Sequence, residues 1–149
     1  MKRRIVGFLI GLNLLVFSSF TFGKETNIIQ ERQNRFKQTS ISIKAAKTSI
    51  SKNNYSQAIV HIENIDTWLY EMIDYFAEGT QASVLNKSSA SLEIWTNFQE
   101  FRMLKELSRS GARQLIYALD ENENDNLKIK RAFKNFAQTC SECHRRFRN

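Results

Sequence analysis

A chain of 149 residues with an ordinary hydrophobic fraction fits one globular domain. Its net charge of +7 is spread along the sequence, with acids between the bases and no basic patch interleaved with aromatics, which excludes the clustered footprint of a nucleic-acid binder. Proline is absent, and three of the five glycines fall within the first 23 residues, so the body favours long helices.

Residues 1–23 read as a secretory leader. Met1-Lys2-Arg3-Arg4 is a positive head and Ile5 to Phe17 is apolar apart from Asn13. Ser18 to Gly23 is a small, mostly polar exit with Thr21 and Gly23 at the spacing a signal peptidase reads. The apolar core is short for a span of ~20 residues, which favours cleavage after Gly23 over an uncleaved anchor. Residues 24–149 then form the exported body, and loss of Lys2, Arg3 and Arg4 lowers the net charge from +7 to +4.

Ile29, Phe36, Ile43 and Ile50 recur every seven residues, which predicts an amphipathic helix from Glu25 to Lys52. Asn53-Asn54 ends it and caps the next. Tyr55, Ala58, Ile62, Ile65, Leu69, Met72 and Phe76 keep three-and-four spacing through a second helix. Glu78 to Ala90 is a long polar connection. A third helix is expected from Ser91 to Leu119, carrying Trp95, Phe98, Phe101 and Leu115, with Gly111 a weak point inside it. Asp120 to Asn126 is an acidic turn without the ligand spacing of a calcium loop. The fourth helix aligns Ile129, Phe133, Phe136, Cys140, Cys143 and Phe147 on one stripe. Four apolar-striped helices without strand alternation predict an all-α, antiparallel four-helix bundle.

The only two cysteines stand in "CSECH", Cys140 to His144. C-x-x-C-H is a haem-attachment signature: two thiols one helical turn apart reach two vinyl groups on one ring edge, and the adjacent histidine lies beneath the iron. A structural zinc site needs four ligands, and only His61 remains among nitrogen and sulfur donors; it reads as an exposed histidine beside Glu63. A thioredoxin-like pair lacks its βαβ frame. A plain disulfide in a haem-free bundle leaves His144 without a role. One covalent haem c is therefore the expected cofactor, and attachment to such motifs outside the bacterial cytoplasm agrees with export to the periplasm.

These residues make the chain resemble the cytochrome c′ family. "RQNRF" (Arg32 to Phe36), "FAEGT" (Phe76 to Thr80), "EIWTNFQEF" (Glu93 to Phe101) and "RAFKNFAQTCSECHRRFR" (Arg131 to Arg148) carry the likeness. It implies a four-helix haemoprotein, commonly a homodimer through the first two helices. It also implies Arg32 beside a haem propionate, Gln33 next to it, and Phe76 and Arg148 in the haem pocket.

Within such proteins the residue at Phe36 decides the coordination. A methionine there completes a six-coordinate electron carrier; phenylalanine has no lone pair, so the resemblance implies a five-coordinate iron open to a small gas. A pocket free of hydrogen-bond donors disfavours dioxygen relative to nitric oxide, so nitric oxide is the expected ligand, for binding, protection or storage. No catalytic constellation stands out, so a binding protein is expected rather than an enzyme, with at most a minor nitric oxide detoxification role. The competing reading is an electron-transfer cytochrome working with redox partner proteins, with Met72 or Met103 as the sixth ligand.

Overall fold

The structure is a computed structural model that describes residues 18–121 and 125–149. The expected leader falls largely outside the described residues. Of the acidic turn, residues 122–124 lie outside them too.

The first helix, α1 (Ser18–Ser51), begins upstream of the expected Glu25 start. It closes on Asn53, which adopts a left-handed φ of 56° that asparagine tolerates better than most residues. The Asn54 amide reaches back to the Ser49 carbonyl at 2.9 Å and the Asn53 amide to Ile50 at 3.0 Å, the paired bonds of a Schellman ending. The Asn54 side chain then accepts from the Gln57 amide, so one dipeptide both stops α1 and starts α2 (Tyr55–Glu71).

The second helix does not continue to Phe76 as expected. It tightens at Met72 into a 3₁₀ turn, Met72–Tyr75, and the Tyr75 carbonyl is taken by the Arg32 guanidinium instead of a further helical amide. Gly79, at φ 84°, makes the turn that follows, a conformation a side chain would strain.

The third predicted helix is also broken. A short α3 (Glu93–Thr96) ends at Asn97, where φ −123° and ψ 44° leave the helical region, and α4 (Phe98–Glu121) starts anew. Asn97 donates through its side chain to Glu93 and Thr96, the local bonding by which asparagine competes with the helical ladder. Gly111 interrupts nothing. A Cβ there would sit 3.2 Å from the Phe136 Cα, so the glycine lets α4 approach α5 (Asn126–Phe147). Asp125 caps α5 by accepting from the Lys128 amide at 2.9 Å.

Four long helices, α1, α2, α4 and α5, form the bundle, with α1 packed on α2, α2 on α4 and α4 on α5. Ala46, Ala58, Ile62, Ala112, Leu115 and Ile129 are sealed from solvent. The three alanines bring backbones close, and each fully buried branched side chain contributes about 1.5–3 kcal/mol relative to exposure. α1 and α5 are not closely packed on each other, and the site lies between them.

Candidate functional site

A cavity of about 440 Å³ opens between α1, α2, α4 and α5 under the 77–90 connection. All eight residues singled out from the sequence line it: Arg32, Gln33, Phe36, Phe76, Cys140, Cys143, His144 and Arg148. Its volume falls within the ~300–1,000 Å³ typical of cofactor and small-molecule sites.

One wall is α5. Cys140 and Cys143, a turn apart, are half-buried free thiols. Burial pushes the Cys140 thiol up, and burial together with the nearby Cys140 pushes Cys143 up to about 11, so both sulfurs rest as neutral thiols. Partial enclosure, then the Arg148 charge, lowers the affinity of His144 for a proton. The imidazole therefore keeps a free lone pair at neutral pH, the form that ligates a metal.

The opposite wall is α1 with α2. The Phe36 ring lies 5.9 Å from the His144 ring, centroid to centroid, inclined by 69°. Behind it Trp68 packs edge-to-face at 5.4 Å, and Tyr75 backs Trp68 at 5.1 Å. Of the two methionines offered as alternative ligands, Met72 is a buried wall residue, whereas Met103 is 55% exposed and lies away from the cavity.

Arg32 closes one end. It is 3% exposed, with its guanidinium 4.5 Å from the centre of the Phe76 ring. One terminal nitrogen donates to the Tyr75 carbonyl (2.8 Å) and the Thr80 hydroxyl (3.0 Å); the other donates to the Thr80 carbonyl and the Ser88 hydroxyl, both at 2.9 Å. Every acceptor is neutral, and burial without a counter-charge lowers its pKa to about 10. A buried cation with no anionic partner among the described residues, in the wall of a cavity, suits a ligand that brings carboxylates. Both terminal nitrogens are committed to residues 75–88, which leaves the Nε hydrogen for a propionate. Gln33 stays exposed at the mouth and donates to the Lys87 carbonyl at 2.6 Å. Arg148, also exposed, pairs with Ala90 in an isolated β-bridge that ties the end of α5 to the same connection.

The expectation of a donor-free pocket is corrected. The buried indole of Trp68 belongs to the wall, and the buried Lys105 and Ser108 of α4 line it too. Sequence reading passed over all three. Lys105 and Ser108 follow Phe101 at four- and seven-residue spacing, which marks them as the same face. Trp68 follows Ile65 by three. Taken together, two thiols and one imidazole nitrogen on a single wall, an apolar slot and an uncompensated cation fit a covalently held haem.

The sequence profile of the family described as Cytochrome C' matches residues 27–148. Among solved structures the fold is similar to a cytochrome c′ described as having ligand-controlled dimer dissociation, with a TM-score of 0.73 at 17% identity over 83% of this chain and 95% of that one. It is also similar to cytochrome c prime from Shewanella frigidimarina, with a TM-score of 0.71 at 18% identity over 84% and 96%. A nitric oxide complex of a mutant cytochrome c prime from Alcaligenes xylosoxidans gives 0.69 at 20% identity over 84% and 95%. No curated protein sequence matches the chain significantly.

Proposed function

The chain belongs to the cytochrome c′ family, which binds haem c covalently, and from that premise we propose that it is an exported gas-binding protein with one haem. Cys140 and Cys143 carry the thioether links, and His144 supplies the one protein nitrogen to the metal. The haem, when bound, supplies an iron with one coordination position free for a neutral diatomic.

Phe36 carries this reading. It occupies the place facing His144, and a benzyl group has no lone pair to donate. It keeps the opposite side apolar and crowded, so a small ligand enters only where the ring yields. Arg32 holds the 77–90 connection over the slot and is the buried positive charge that would meet the haem carboxylates. Arg148, extended just past the end of α5, holds positive charge next to the imidazole. Nitric oxide is the ligand proposed, since a mutant cytochrome c prime of similar fold from Alcaligenes xylosoxidans forms a nitric oxide complex. The role is binding, protection or storage rather than turnover.

Export after Gly23 places the protein in the periplasm. Among the described residues no helix is long and apolar enough to cross a membrane. A homodimer through α1 and α2 is supported by Ile41 and Val60, which are exposed on those two helices.

Two measurements test the reading. Mass analysis of the exported protein is expected to give the 24–149 polypeptide plus one porphyrin, lost when Cys140 and Cys143 are both replaced by alanine. Nitric oxide added to the reduced protein is expected to change its optical spectrum at one equivalent per chain. A polypeptide mass without porphyrin would refute the assignment.

A further inference from the structure

Buried hydrogen-bond donors in a ligand cavity are costly unless they are spent, so the donors around this one can be followed one by one. The Thr39, Ser40 and Ser108 hydroxyls each donate to the carbonyl four residues back on their own helix, at 3.0, 3.2 and 3.0 Å. Both terminal nitrogens of Arg32 are committed to residues 75–88, and its Nε hydrogen is the one left for a haem carboxylate. The Lys105 ammonium is paired with Glu106. Trp68 differs from all of these. It is 4% exposed, and its Nε1 has no partner among the described residues. Leaving such a group unpaired is costly, and an unpaired buried donor in a native fold calls for an explanation.

Its position supplies one. Trp68 sits on α2, on the same side of the slot as Phe36 and across from the helix that carries His144. Tyr75 holds it from behind, while Phe36 covers it edge-to-face from the front. Phe36 is only half-buried, so it is the ring free to turn when a ligand arrives, and a ligand that displaces it meets the indole next. We propose that Trp68 is a specificity-determining residue whose indole N–H donates a hydrogen bond to the outer atom of a diatomic gas held on the Phe36 side of the cavity. This inference rests on the haem reading above. Its consequence is a site that favours diatomics with an electron-rich outer atom more than an all-hydrocarbon pocket would.

Trp95 provides an internal control. Its Nε1 is likewise buried and unpartnered, but the residue is not part of the cavity wall. The probe is carbon monoxide on the reduced, haem-loaded protein, read by the infrared C–O stretch. A donor on the ligand oxygen lowers that frequency. Trp68→Phe is therefore expected to raise it, with helical circular dichroism and haem content retained, while Trp95→Phe leaves it unchanged. In D₂O the wild-type stretch is expected to move as the indole hydrogen exchanges, a readout that needs no variant, and the movement is expected to be lost in Trp68→Phe. A stretch unmoved in Trp68→Phe, or identical in H₂O and D₂O, would overturn the proposal. Failure to load haem or bind carbon monoxide would instead strike the site reading on which it rests.

Discussion

Phe36 and His144 face each other across the slot at 5.9 Å, on helices α1 and α5 that otherwise stay apart. That pairing sets a ligand nitrogen against a hydrocarbon ring. The pairing is thus asymmetric by construction: the imidazole can bind iron and the benzyl group can only crowd it.

The asymmetry can be removed with one residue. Phe36→Met puts a thioether where the benzyl group stands, and the reduced protein is expected to become six-coordinate and low-spin. Gas binding, followed by stopped-flow absorbance, slows because methionine must first leave. An unchanged high-spin spectrum would show that Phe36 does not face the metal.

Arg32 is expected to matter for stability as much as for the cofactor. Replacing it with methionine keeps the apolar stem and removes all four bonds, leaving the Tyr75 carbonyl without a donor while the Thr80 carbonyl keeps that of Ser88. Charged hydrogen bonds contribute ~1.5–3 kcal/mol each, but they are not additive, so a loss on the order of 2–4 kcal/mol is expected in urea denaturation. Proteolysis within residues 81–88 should accelerate in parallel. A stability within experimental error of wild type would mean the connection is held by other contacts.

The raised thiol pKa values predict slow chemistry before haem is attached. At about 11 against an ordinary 9.0, Cys143 in the folded, haem-free chain carries roughly a hundredfold less thiolate at neutral pH. Iodoacetamide labelling should be slow in buffer and fast in denaturant, the difference narrowing as pH rises toward 11. Equal rates in the two conditions would show that the thiols are not enclosed.

His144 gives a pH dependence of the opposite sense. Its folded-state pKa is lowered below the ordinary 6.5, so the unfolded chain binds more protons through that range. The contribution is therefore fully present above pH 6.5 and is lost as pH falls through the lowered value. In a haem-free Cys140→Ala/Cys143→Ala protein, the denaturation midpoint should drop on acidification below pH 6.5, and His144→Gln should flatten that drop.

Much of the site was legible because its chemistry is written in scarce residue types at fixed spacing. The two cysteines and the histidine of Cys140–His144 left few alternatives, and Phe36 was marked by the resemblance of "RQNRF" to the family's first helix, its seven-residue stripe showing only that it is core. The missed features arise from contacts between elements far apart in sequence. Nothing local to Asn97 distinguishes a helix break from a continuing helix, since its side chain acts only through Glu93 and Thr96. Gly111 looked like a weak point until the nearness of Phe136 gave it a packing role. Trp68 lies beside Leu69, which already satisfied the expected stripe, and only the packing of α2 on α1 brings its ring to Phe36. Arg32 could not be foreseen as the clasp of residues 75–88, because its partners lie 43 to 56 positions away.

The most direct test of the central claim is the spectrum of the purified, reduced protein before any gas is added. A high-spin spectrum from iron held by His144 alone, turning to a nitrosyl spectrum with one equivalent of nitric oxide, is what the Phe36–His144 arrangement requires. A low-spin spectrum with two protein ligands, unmoved by nitric oxide, would contradict it.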